Sequence, residues 1–169
     1  MLDQSSNIVF SHGKESGPWG SKIMAMAAVA RDLRLAVESV DYQGIEDPRV
    51  RVDKLLAAGS AIKGPVVLVG SSMGAYVSAV AARRLHARGL FLLAPAFYMP
   101  GFEAHTPQEV DCPTAIVHGW HDLIVPVENS MRWAREHGAA LHILNSDHRL
   151  QDQIEPICLL LKAFLGELH

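Results

Sequence analysis

The stretch Val66-Val67-Leu68-Val69-Gly70-Ser71-Ser72-Met73-Gly74-Ala75-Tyr76 constrains the fold more than any other part of the chain. Its four leading apolar residues read as a buried strand. Ala75, Val77, Ala79, Val80 and Ala81 read as a closely packed helix. Only one turn is left between them. G-x-S-x-G is the pattern of a sharp, strained strand-to-helix turn that pushes the Ser72 hydroxyl into the open. Glycine on either side suits backbones that pass too close for a side chain. The same residues also suit an ordinary helix N-terminus capped by Ser71 or Ser72, so the rest of the chain must decide.

Upstream, Asn7-Ile8-Val9-Phe10 is a short apolar strand that stops at Ser11-His12-Gly13. After a polar loop, Pro18 opens a predicted helix with Trp19, Ile23, Met24, Ala27, Ala30 and Leu33 at helical spacing. Leu35 to Val40 alternates as a strand, and Asp47-Pro48 begins a helix ending near Gly59. Downstream of the serine turn the helix is expected to reach His86, with Gly89 as its C-cap. Leu90 to Ala94, Thr114 to His118 and Leu141 to Leu144 are three more strands. Pro126 to His137 is a helix stopped by Gly138, and a last helix has Pro156 near its start. The one long irregular stretch runs from Pro95 to Pro113.

This alternation predicts a three-layer α/β/α sandwich of one domain, residues 1–169, around a mostly parallel sheet of about six strands. Sites in such sheets lie beyond the carboxyl ends of the strands. A net charge of −3 with mixed signs argues against nucleic acid as a dedicated partner. Cys112 and Cys158 suit neither a metal site nor a disulfide framework. No basic leader followed by an apolar run is apparent, nor any segment approaching the ~20 apolar residues of a membrane span. A soluble cytoplasmic protein is expected. Phosphate-loop and dinucleotide-binding glycine patterns are absent, as are metal-binding motifs; no metal or cofactor is expected.

A serine hydroxyl is a poor nucleophile until a base takes its proton, and the base needs an acid to orient it. Two loops after strands offer both. The fifth strand exits into Gly119-Trp120-His121-Asp122, and the sixth into Asn145-Ser146-Asp147-His148. His121 lies on the acid's own loop, His118 and His142 occupy strand positions typical of core histidines, and His12 is expected to brace its loop. Asp147 adjoins His148 and is poorly placed to orient it. The order Ser72, Asp122, His148 is one of three orders known for such triads.

With His12-Gly13, Gly70-Ser71-Ser72-Met73-Gly74, the Gly119–Pro126 segment and His148, the chain resembles a small serine esterase-like α/β-hydrolase from about Asn7 onward. The resemblance implies a minimal core lacking the family's first two strands. It implies Ser72 as nucleophile, His148 as general base and acid, and Asp122 as the residue that fixes the imidazole. The Met73 and Lys14 N–H groups would form the oxyanion hole. Lys14 stands where relatives often carry an apolar residue, and its ammonium would either meet an anionic substrate or point into solvent. Pro95 to Pro113 is too short for a multi-helix lid. Trp19, Phe97, Tyr98, Met99 and Trp120 are candidates for the wall of an open site, with Met73 beside them. A small-molecule acyl ester or thioester is the expected substrate. A peptidase or amidase using the same triad, or a noncatalytic ligand-binding module, are the alternatives, and oligomeric state is not legible.

Overall fold

The computed structural model of the chain describes Leu2 and residues 5–102 and 106–168. Six strands form one all-parallel sheet: β1 (Asn7–Ser11), β2 (Ala36–Val40), β3 (Val66–Ser71), β4 (Gly89–Leu93), β5 (Thr114–Gly119) and β6 (Ala140–Leu144). Their spatial order is β2-β1-β3-β4-β5-β6. The chain therefore builds outward from β1 to β2, then reverses and builds the other way from β3. This reversal opens a crevice between the carboxyl ends of β1 and β3. Five α-helices accompany the sheet: α1 (Ser21–Asp32), α2 (Pro48–Ala61), α3 (Met73–Ala82), α4 (Val127–His137) and α5 (Ile154–Glu167).

Alternate strand residues serve two cores. Val9, Leu68, Leu90, Leu92 and Ile116 face α2, α3 and α4, while Ile8, Phe10, Val67, Val69, Phe91 and Val117 face α1 and α5. The strands at the centre are apolar on both sides because helices cover both sides, as a three-layer sandwich requires. Among the described residues no helix is long and apolar enough to cross a membrane.

Two helix boundaries differ from the sequence reading. Pro18 and Trp19 form a turn, and α1 begins only after Gly20, whose carbonyl accepts the Met24 N–H at 2.9 Å. The Pro18 carbonyl is instead held by the Ser39 hydroxyl at the end of β2. Helix α3 stops at Ala82, short of His86. His86 takes the left-handed conformation (φ 49°), and the Ala87 N–H returns to the Ala82 carbonyl at 3.0 Å, a Schellman closure built on histidine rather than glycine. Gly89 is not that cap. It opens β4, where an added Cβ would lie 2.9 Å from Leu168 and 3.0 Å from Phe164 of the closing segment.

The irregular segment between β4 and β5 is tied down by α4. Trp133 is fully buried, stacks on Phe97 with ring centroids 4.7 Å apart and on His137 at 4.0 Å, and donates its indole N–H to the Pro107 carbonyl at 2.9 Å. Asn129 donates its amide to the Phe97 carbonyl at 2.8 Å. Trp133→Ala removes both stacks and this tie at once. It is expected to cost about 3–5 kcal/mol in urea unfolding, the usual range for a buried aromatic cut to alanine.

Candidate active site

The serine turn owes its shape to two backbone contacts. A Cβ on Gly70 would stand 2.4 Å from the Gly74 carbonyl oxygen and 2.6 Å from the Ala75 Cα. A Cβ on Gly74 would stand 2.1 Å from the Ser11 carbonyl oxygen. Helix α3 is thus pressed against both β3 and the end of β1. Ser72 bridges them at φ 54° and ψ −116°, a strained conformation for a residue with a side chain. Its backbone is gripped from several sides: its N–H donates to Leu93 (2.8 Å), and its carbonyl accepts from Ala75 (3.1 Å), Tyr76 (3.2 Å) and Ala96 (3.2 Å). The strain persists because these bonds over-determine it.

The Ser72 hydroxyl lies 3.0 Å from His148 Nε2, and His148 Nδ1 lies 2.6 Å from Asp122 Oδ2. A carboxylate can only accept, so the neutral His148 ring carries its proton on Nδ1 and turns a bare Nε2 toward the hydroxyl. Two loops meet to make this pairing. A Cβ on Gly119 would stand 2.4 Å from the Ser146 carbonyl oxygen, so the β5 exit carrying Asp122 lies directly against the β6 exit carrying His148. Asp147 Oδ1 accepts the N–H groups of Arg149 (2.9 Å) and Leu150 (3.2 Å) and shapes the loop. His121 Nε2 pairs with Asn145 at 2.9 Å.

Asp122 is a hub with its side chain wholly buried. Oδ1 accepts the N–H groups of Ile124 and Val125, each at 2.8 Å. Oδ2 accepts from His148 and, at 2.9 Å, from His118 Nε2. Four donors meet the four lone-pair sites of one carboxylate. Burial works to raise its pKa, but hydrogen bonds from the two histidines and the two amides outweigh it and hold the group well below the usual carboxylate range. His118 is the residue that sequence reasoning undervalued as an ordinary core histidine. Its Nε2 also faces the Val125 carbonyl at 3.0 Å, which fixes a proton there, and Nδ1 faces the Ser130 hydroxyl on α4 at 2.8 Å. The signal was its position four residues before Asp122. His142, read the same way, is only half-buried on edge strand β6.

Across the crevice, His12 donates from Nδ1 to the Gly13 carbonyl at 2.7 Å, and its Nε2 accepts the Tyr42 N–H at 2.8 Å. Burial lowers its pKa, and both ring nitrogens are committed to holding the loop. Gly13 approaches until its Cβ position would be 3.6 Å from the Ser72 Cβ. Lys14 and Met73 both line the cavity above Ser72, and no acceptor among the described residues takes either N–H.

The cavity is about 560 Å³, with Met73, Ala96, Met99, Phe102 and Val125 on its apolar wall and Lys14, Lys22 and Arg149 among its polar residues. Of the six side chains expected at the wall, Met73 and Met99 line it, and Trp19, Phe97, Tyr98 and Trp120 do not. Phe97 is fully buried on Trp133. Tyr98 turns to α4, giving its hydroxyl to Glu136 at 2.7 Å beneath the Arg132 guanidinium. Trp19 is exposed beside Arg31, and Trp120 is exposed off the cavity. For Phe97 and Tyr98 the packing of α4 decides the outcome, and Tyr98 takes a positive φ of 53° where the segment between β4 and β5 turns toward it. Phe102, Ile124 and Val125 take the places the aromatics were given, and no sequence pattern marked them.

The crossover order, the strained serine after β3 and the two loops beyond β5 and β6 define an α/β-hydrolase fold with a candidate site at its usual edge. Residues 26–152 match the serine hydrolase family, and the chain belongs to it. A hydrolase of the alpha/beta superfamily from Xanthomonas campestris pv. campestris is 32% identical over 96% of this chain and 99% of that one, with a TM-score of 0.89. An alpha-beta serine hydrolase homologue from Coxiella burnetii shares the fold at 20% identity, covering 96% of this chain and 86% of that one (TM-score 0.81). So does a Xanthomonas campestris serine hydrolase without a lid, at 18% identity over 98% and 83% of the two chains (TM-score 0.78). No curated protein matches the chain by sequence.

A carboxylate whose folded-state pKa is lowered contributes stability that is full above its unfolded pKa of about 3.9 and fades as pH falls toward the folded value. Asp122→Asn is therefore expected to be less stable than wild type at neutral pH, by about 1–3 kcal/mol. The gap between the two urea midpoints should narrow as pH is lowered below about 4. A gap that stays constant to pH 2.5 would remove this account of Asp122.

Proposed function

We propose that the protein is a carboxylesterase or thioesterase that cleaves a small acyl substrate through an acyl-enzyme on Ser72. The observation that carries this reading is the unbroken chain of hydrogen bonds from Ser72 Oγ through His148 to Asp122 at the foot of a cavity. As Oγ attacks the acyl carbonyl, His148 Nε2 takes its proton, and Asp122 stabilises the imidazolium that results. The carbonyl oxygen gains charge where the Met73 and Lys14 N–H groups are free to donate; such donors are typically worth ~3 kcal/mol of barrier each. The tetrahedral adduct collapses with the His148 proton passing to the leaving alcohol or thiol. Water then attacks the acyl carbonyl and gives a proton to His148, and the acid is released as His148 passes that proton to Ser72 Oγ. The cavity falls in the usual range for small-molecule sites, and its Met99–Phe102 side suits an acyl chain.

The test is intact mass after incubation with a fluorophosphonate, which phosphonylates a serine only when base and oxyanion donors are assembled. Wild type should gain one adduct and Ser72→Ala none. On a p-nitrophenyl ester series, Ser72→Ala and His148→Ala should each lose at least about 10³-fold in kcat while keeping the wild-type fold. A folded wild type that takes no adduct, or a Ser72→Ala variant with full turnover, would sink the proposal.

A further inference from the structure

Arg51 is a buried charge, 1% exposed, and no carboxylate among the described residues forms an ion pair with it. Arginine keeps its proton in proteins, so the cation is permanent. A buried charge without a counter-ion is expensive unless hydrogen bonds replace its lost water. Here the replacements are backbone carbonyls. Nε donates to Ile45 at 2.7 Å, and Nη1 divides between the carbonyls of His12 at 3.2 Å and Gly13 at 3.3 Å. The guanidinium carbon stands 5.2 Å from the Tyr42 ring centroid, and the Tyr42 hydroxyl pairs with Ser11 at 2.9 Å. Helix α2 thus sends one cation under the β1 exit loop and fastens it to two successive peptide groups.

The peptide between Gly13 and Lys14 has a fixed geometry. In a planar trans peptide the C=O and N–H point in opposite directions. Its C=O accepts from Arg51 Nη1 and from His12 Nδ1, with the Ser16 hydroxyl at 3.5 Å, and of these partners Arg51 lies outside the residues that line the cavity. Its N–H points opposite to the Arg51 bond, has no acceptor among the described residues, and belongs to a residue that lines the cavity with Ser72. A cation bonded to the carbonyl also polarises the peptide and strengthens the N–H as a donor, since hydrogen bonds in a chain reinforce one another. We infer that Arg51 is a positioning residue for the hydrolysis: through the Gly13 carbonyl it aims and polarises the Lys14 N–H that receives the oxyanion. This rests on the acyl-enzyme reading above. It adds that half of the oxyanion site is set by a buried cation on another element, which never touches substrate.

The experiment compares wild type, Arg51→Met and Arg51→Lys in three readouts: kcat and KM on p-nitrophenyl butyrate, inhibition by butylboronic acid, and the acid limb of the pH–rate profile. The boronate forms a tetrahedral adduct on serine and so reports oxyanion donors. The acid limb reports the base, His148. Arg51→Met is expected to lower kcat by about 30- to 100-fold, to weaken boronate inhibition by a similar factor, and to leave KM and the acid limb unchanged. Arg51→Lys keeps a cation without the fork and should recover part of both losses. If Arg51→Met does not fold, Arg51→Lys decides alone, with a loss in kcat matched by a loss of boronate affinity. The inference falls if the folded variant keeps kcat and boronate affinity within threefold of wild type. It also falls if kcat drops while boronate binding is untouched, the result of loosened packing alone. A wild type that takes no fluorophosphonate adduct would instead overturn the acyl-enzyme reading itself, a result visible before any Arg51 variant is made.

Discussion

Helix α3 meets the end of β1 at Gly74 with no space for even one methyl group, and meets β3 at Gly70 in the same way. The rest of the site follows from these two approaches. They bring the helix N-terminus down onto the sheet edge and force Ser72 into a left-handed bend. They also set the His12-Gly13 loop within van der Waals reach of the Ser72 side chain. An α-helix begins with N–H groups that have no partner of their own, and here the first of them opens into the cavity at Met73. One steric constraint therefore sets where the hydroxyl points and where positive dipole is available.

Asp122 organises the other half. Its oxygens gather the β5 strand through His118, the β6 loop through His148, and its own loop through two amides. His118 in turn reaches Ser130, so the first turns of α4 are part of the same network. The imidazole facing Ser72 is held at the end of a chain that runs through Asp122 and His118 to Ser130 on α4. An imidazole held in this way has little freedom to wander from its hydrogen bond to the Ser72 hydroxyl.

The fold and the central residues were legible because they are written in local terms. The period of the apolar residues gives the strands and helices, and G-x-S-x-G gives the bend. Asp122 and His148 are marked by their places just after strands. What stayed hidden depends on contacts between distant segments or on rare backbone states. His86 and Arg34 close helices in the left-handed region normally left to glycine, so α3 reads too long. Phe97 and Tyr98 look like cavity aromatics until Trp133 and Glu136 draw them to α4. Arg51 carried a faint mark, a charge four residues before Leu55 on a stripe that is otherwise buried, but only the structure shows what it grips.

The loop that follows Asp122 divides its labour between main chain and side chains. The carboxylate is held by the N–H groups of Ile124 and Val125, while the Leu123 and Ile124 side chains stand 95% and 62% exposed, Ile124 on the lip of the cavity. Any non-proline residue supplies the same amide. The identity of the Ile124 side chain is thus uncoupled from the carboxylate that its amide holds. A lineage can re-upholster the lip of the cavity at position 124 while the buried network stays as it is.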